Sequence, residues 1–170
     1  MTTTVPASSP AKPIRRSAAR PTASSANARN TMRSNRARDT GPELALREVL
    51  RDAGLRGYRV DYRGAPGRPD VAFTKQQVAI FVHGCFWHRC PYCRPNLPRA
   101  NREFWREKFR MNKKRDDRAR AGLMNLGWEV IELWECQIKA DLGQSVAKIR
   151  RAVIKRRPNE PCKQKRSSSA

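Results

Sequence analysis

The segment Val78–Cys93 narrows the possible folds of this chain more than any other. A continuous apolar run, Val78–Val82 (VAIFV), passes directly into a loop that holds both histidines of the chain, His83 and His88, and three of its five cysteines. An apolar run without polar alternation reads as a strand buried on both faces. The chemically active side chains therefore begin where a central strand ends.

The flanking sequence supplies the partners that such a strand needs. Thr40 and Glu43 have capping-box spacing and Pro42 suits a first helical turn, which predicts a helix from there to about Ala53. Leu46, Val49, Leu50 and Ala53 form its apolar face, and Gly54 stops it. Tyr58–Tyr62 reads as a strand, Arg63–Arg68 as a Gly/Pro loop, Asp70–Phe73 as a second strand and Lys75–Gln77 as a turn. His83–Pro98 reads as irregular. Asn101 is a candidate cap for a helical region reaching about Leu126, and its irregular apolar spacing predicts a break near Asn112. Gly127 ends that region, Trp128–Trp134 (WEVIELW) is a further strand, and Leu142–Ile154 is a helix burying Val146, Ile149, Val153 and Ile154. The order α-β-β-β-α-β-α predicts an α/β fold with a small mixed central sheet flanked by helices.

Charge says what such a domain meets. The chain has 170 residues and a formal net charge of +22. Residues 1–38 hold eight Lys or Arg and no acid, yet residues 39–154 still carry 23 basic against 14 acidic groups. The folded part is itself basic, as expected of a protein that displaces counterions from a phosphate backbone. No apolar run approaches the ~18 residues of a spanning helix, so no membrane partner is expected. Residues 1–31 are expected to be a disordered basic arm, 32–154 one folded domain, and 155–170 a disordered basic tail.

Cys85, Cys90 and Cys93 are spaced C-x4-C-x2-C, and Cys136 follows 43 residues after Cys93, just beyond a predicted strand. Without a visible secretory signal, metal binding is the stronger reading over a disulfide framework. Four thiolates around Zn²⁺ make a closed structural site, and such a clip suits a loop with little core of its own. Spacing does not prove Cys136 the fourth ligand, and His88 competes for a position. Cys162, in the charged tail, reads as a free thiol.

GRPDVAF (Gly67–Phe73) sets a carboxylate, Asp70, at the start of one strand, and VAIFVHG sets a polar group at the end of the next. That layout suits Mg²⁺, which takes one or two carboxylates plus waters and phosphate oxygens. Read alone, Asp70 also fits a cap or surface residue. His83 and His88 fit a proton carrier at neutral pH, a zinc ligand or a core histidine. Phe86 and Trp87 in the loop, and Trp105 beside Arg102, Arg106 and Lys108, fit either wedges between base steps or rings packed around the loop.

Taken together, MRSNRARDTGPE (Met32–Glu43), GRPDVAF, IFVHGCFWHRCPYC (Ile80–Cys93), EFWREK (Glu103–Lys108), NKKRD (Asn112–Asp116) and GWEVIELWEC (Gly127–Cys136) resemble the very-short-patch (Vsr) mismatch-repair endonuclease family over roughly residues 32–140. The resemblance implies a restriction-endonuclease-like fold. It also implies an enzyme nicking one strand of double-stranded DNA 5′ to the T of a T·G mismatch, the product of 5-methylcytosine deamination. By the same resemblance Asp70 is the catalytic aspartate holding Mg²⁺, with the Val82 main-chain carbonyl as a second metal contact. His88 does acid–base work, His83 and Asp116 support it, and Glu43 lies close by on the first helix. Phe86, Trp87 and Trp105 insert beside the mismatch, while Arg68 and an arm containing Met32 and Arg33 contact DNA. Cys85, Cys90, Cys93 and Cys136 hold the structural Zn²⁺. Val82 stands where well-known members have Thr and Cys90 where they have a zinc-binding His, and there is an insertion around Pro91–Cys93.

The expectation is a cytoplasmic, nucleoid-associated monomer, with other mismatch-repair proteins as further partners. Two alternatives stand beside it. One is a restriction-type or generic nicking endonuclease without mismatch selectivity. The other is a zinc-containing DNA-binding module without catalysis.

Overall fold

The structure, a computed structural model, describes residues 38–156. The arm 1–31, Met32, Arg33, Cys162 and the tail beyond 156 lie outside that range. Within it the elements run α1 (Gly41–Asp52), β1 (Arg59–Val60), β2 (Val71–Phe73), β3 (Val78–His83), α2 (Arg102–Asn125), β4 (Glu129–Trp134), α3 (Glu135–Ala140) and α4 (Leu142–Lys155). The strands form one sheet in the order β1-β2-β3-β4. The first two pairings are antiparallel and β3 pairs with β4 in parallel. The fold is thus mixed α/β, a small mixed sheet flanked by helices. No helix among the described residues is long and apolar enough to cross a membrane.

The run that reads as a buried strand is β3, with Val78, Ala79 and Ile80 fully buried. Because side chains alternate along a strand, the sheet acquires two different faces. One carries Val71, Phe73, Val78, Ile80, Ile131 and Leu133, packed against Leu46 and Leu50 of α1, Ile138 of α3 and Val146, Ile149 and Val153 of α4. Burying each such side chain is worth about 1.5–3 kcal/mol, so this face stabilises the domain. The other face is covered by α2 with a much smaller apolar cluster of Ala65, Ala79 and Leu123, edged by Phe81, Trp128 and Val130. Polar groups occupy the rest of that face.

Several sequence expectations are corrected. The strand expected over Tyr58–Tyr62 is only Arg59–Val60, because Gly57 (φ 81°) and Asp61 (φ 49°) turn the chain at its two ends. His83 closes β3 rather than opening the loop. Asn101 does precede α2, but in a left-handed conformation and without a side-chain cap. No break occurs near Asn112: α2 is continuous over 24 residues. Asn112 faces inward, where its Nδ2 donates to the Trp87 carbonyl at 2.9 Å, so it interrupts the apolar pattern without interrupting the helix. An extra short helix, α3, follows β4 directly. On α4, Val146, Ile149 and Val153 are buried as expected, but Ile154 is 54% exposed because it lies ~100° round the helix from Val153.

Candidate active site

The approach to Asp70 is a tight turn. Gly67 (φ 76°) and Arg68 (φ 53°) are both left-handed, and a Cβ on Gly67 would lie 2.4 Å from the Ala119 Cβ on α2. Glycine is therefore required where the loop touches the helix. Arg68, which is not glycine, holds a conformation costing about 1–3 kcal/mol, of the kind concentrated at functional sites. The turn delivers Asp70 one residue ahead of β2, where its Oδ2 accepts the Val82 N–H at 2.7 Å. In an extended strand the N–H and C=O of one residue point the same way, so the Val82 carbonyl faces the same side of β3. Burial pushes the Asp70 carboxyl up to about 6, against the Val82 hydrogen bond and with the help of nearby Glu43 and Asp61. A buried carboxylate beside two other acids is short of a positive partner, and a carboxylate with an adjacent carbonyl is an oxygen donor set that suits Mg²⁺.

His83 ends β3 on the face covered by α2. Its buried ring stacks on Phe81 and lies 4.4 Å, centroid to centroid, from that of His88. His88 Nδ1 is 2.5 Å from Asp116 Oδ2 on α2. Burial works upward on Asp116, but the His88 hydrogen bond and the His88, His83 and Arg115 charges outweigh it and hold the carboxyl below its ordinary value. His83 is held below the usual imidazole value, first by burial and then by His88, against the pull of Asp116 and Glu132.

Glu43, Asp70, Val82, His83, His88 and Asp116 line one cleft of about 1190 Å³, with Arg68 and Trp87 on its walls. Glu43 is already engaged: Thr40 Oγ1 donates to one of its oxygens at 2.8 Å and the Asp39 N–H to the other at 3.0 Å. Arg68 is bound by Asp61 at 2.7 Å, and Arg38 reaches the same oxygen at 3.2 Å. Arg38, Lys108, Arg115 and Arg120 give the cleft a cationic rim.

The cysteine cluster follows from strand register. His83 pairs with Trp134 in the parallel ladder, so Cys85 and Cys136 both lie two residues beyond one matched pair. The Sγ atoms of Cys85, Cys90, Cys93 and Cys136 all lie within 4.8 Å of one another, and Cys90 and Cys136 are 3.6 Å apart. A tetrahedral Zn²⁺ with ~2.3 Å bonds would separate its sulfurs by roughly 3.8 Å, so the group fits the ion. Main-chain N–H groups point at two of the sulfurs, although at Cys85 burial and the neighbouring thiols still raise the thiol above its usual value. Cys136 N–H donates to Cys85 Sγ at 3.3 Å. Burial raises the Cys90 thiol, but the N–H groups of Cys93 and Tyr92 outweigh it and hold the thiol below its usual value.

Phe86, Trp87 and Trp105 are half-buried and pack on one another and on buried Phe109, with centroids 5.1–5.9 Å apart. The structure shows these rings packed around the loop, as one aromatic block between the cysteine loop and α2. Met32 and Arg33 lie outside the described residues.

Asn112, Glu132 and Asp61 are among the cleft residues that escaped the sequence reading. Asn112 sits at a helical spacing shared with Trp105, Phe109, Asp116 and Leu123, which would have marked an inward polar position on a continuous helix. Glu132 is an acid inside the otherwise apolar VIELW, in phase with Trp134. Asp61 gave no signal.

Comparison with known proteins adds the family. A family model described as DNA mismatch endonuclease Vsr matches residues 22–94. The chain is 37% identical over 122 residues to the type II nicking enzyme V.XorIIP of Xanthomonas oryzae pv. oryzae, covering 72% of this chain and 88% of that one. It is 40% identical over 108 residues to the DNA mismatch endonuclease Vsr of Escherichia coli, covering 64% and 69%. With the type II nicking enzyme V.NaeI of Lentzea aerocolonigenes it shares 41% identity over 109 residues, covering 61% and 64%.

Proposed function

The chain belongs to the Vsr family, and from that premise we propose that it is a DNA endonuclease of restriction-endonuclease-like fold that nicks one strand of a duplex 5′ to the T of a T·G mismatch. The observation that carries the reading is one cleft lined both by Asp70, an under-compensated buried carboxylate, and by the His88–Asp116 pair. Asp70 and the Val82 carbonyl would hold Mg²⁺. When bound, that ion supplies charge stabilisation to the phosphoryl oxygen and acidifies a water.

The remaining roles fall to the chain itself. Asp116 accepts the Nδ1 proton of His88, which leaves Nε2 as the nitrogen that exchanges a proton at the phosphodiester. Asp116 thereby also stabilises the imidazolium formed in the transfer. Arg68, Arg115 and Arg120 receive flanking phosphates, an electrostatic role that carries no sequence information. Residues 32–154 form the nuclease domain, and the basic ends 1–31 and 155–170 add affinity without specificity. The ion set is Mg²⁺ at Asp70 and Zn²⁺ at the four cysteines. The protein acts as a monomer on cytoplasmic, nucleoid DNA, with other mismatch-repair proteins as partners.

The aromatic block serves as the wedge. A mispaired step is cheaper to unstack than a matched one, so insertion itself contributes to selection. Phe86→Ala is expected to reduce the preference for T·G over matched duplex by about 5- to 150-fold, the equivalent of one stacking contact of ~1–3 kcal/mol. Affinity for matched DNA should change little. Titrations of both duplexes check this, and an equal loss on both removes the wedge role.

The reading as a whole is tested by strand-resolved nicking of T·G and matched duplexes of varied flank. At least a tenfold faster nick 5′ to the mismatched T is expected. Equal rates would favour the second reading, a nicking endonuclease without mismatch selectivity; several relatives are named type II nicking enzymes. Absence of any Mg²⁺-dependent nicking would leave a zinc-containing DNA-binding module.

A further inference from the structure

We propose that Glu132 is a positioning residue for His83, and that the cleft holds its two histidines in opposite tautomers. The alternation of β4 sends Ile131 and Leu133 into the main core and turns Glu132 to the α2 face. Its partner across the ladder is Phe81, two residues before His83 on β3. Oε1 of Glu132 lies 3.4 Å from His83 Nε2, and Oε2 lies 3.6 Å from an Arg120 guanidinium nitrogen. The carboxylate is thus braced between strand and helix.

An ionised carboxylate only accepts hydrogen bonds. Glu132 therefore selects the His83 tautomer with its proton on Nε2 and a free lone pair on Nδ1. Asp116 makes the reverse choice for His88, taking the Nδ1 proton and freeing Nε2. With the rings 4.4 Å apart, the direction of His83 bears directly on the surroundings of His88. The catalytic consequence rests on the function proposed above; the tautomers do not.

The chain contains two histidines, so a ¹⁵N spectrum of the zinc-loaded full-length protein shows only two imidazoles, assigned with His83→Ala. At mildly alkaline pH, His83 should carry its proton on Nε2 and His88 on Nδ1. Glu132→Leu should turn His83 into a tautomer mixture and lower kcat for nicking about tenfold or more. Zinc content should stay unchanged. Glu132→Gln keeps an acceptor oxygen and should restore most of both signals. A wild-type His83 protonated on Nδ1, or a His83 tautomer indifferent to Glu132→Leu, overturns the inference. If the wild-type tautomers are as stated but no nicking occurs, the proposed function fails and the positioning role stands.

Discussion

Asp70→Asn is expected to abolish nicking of a T·G duplex, by about a thousandfold or more, while duplex binding is kept. The amide still offers an oxygen to the Val82 N–H, which the carboxylate now accepts at 2.7 Å, so the local fold survives. What disappears is the charge that, under the proposed function, would hold the divalent ion. Metal stabilisation of a phosphoryl transition state is worth several kcal/mol, and each ~1.4 kcal/mol is a factor of ten in rate. Stability should move the other way. Burial raises the Asp70 carboxyl to about 6, so the folded state favours the uncharged form. Stability held with the carboxyl protonated is lost as pH rises through that value, and an amide avoids the loss. Mg²⁺ should therefore raise the Tm of the wild-type protein and leave that of the variant unmoved. A variant that nicks at the wild-type rate would remove Asp70 from the metal site.

Much of this arrangement is local and so was legible in the chain. VAIFV reads as a buried strand because nothing polar interrupts it, and Gly67 and Pro69 mark the turn before Asp70. The individual roles of His83, His88 and Asp116 came from resemblance, since spacing left each histidine open to three readings. Contacts that depend on register were not legible. The pairing His83↔Trp134 joins segments 51 residues apart, and only that pairing sets Cys85 beside Cys136 and Glu132 near His83. Asn112 misled for a related reason. Its side chain satisfies a carbonyl of the distant cysteine loop, and that tertiary hydrogen bond permits a polar residue where helical periodicity calls for an apolar one. The short β1 has a local cause, the left-handed Asp61, a conformation that aspartate tolerates but does not announce.

Removing zinc is expected to unfold the cysteine loop selectively and stop nicking, with the sheet left in place. From Gly84 to Pro98, Cys90 is the one buried residue, whereas the main core lies on the far face of the sheet between α1, α3 and α4. The loop thus has little apolar burial to offset the entropy of ordering about fifteen residues, at ~1–2 kcal/mol each. Zinc binding by thiolates, worth about 10–16 kcal/mol in small zinc domains, offsets a large share of that cost. His88 and Phe86 stand inside this loop, so its loss would remove the proposed proton carrier and the proposed wedge together. A strong chelator, or Cys90→Ala, should leave far-UV circular dichroism largely intact and abolish amide protection over residues 84–98. Nicking should fall to background and not return with added Mg²⁺. Cys93→Ala, at the exposed corner of the cluster, should give the same pattern in weaker form, with reduced rather than absent zinc. A chelated protein that keeps its nicking rate, or a Cys93→Ala variant that keeps full zinc, would show that the four thiols do not hold the metal that orders the loop.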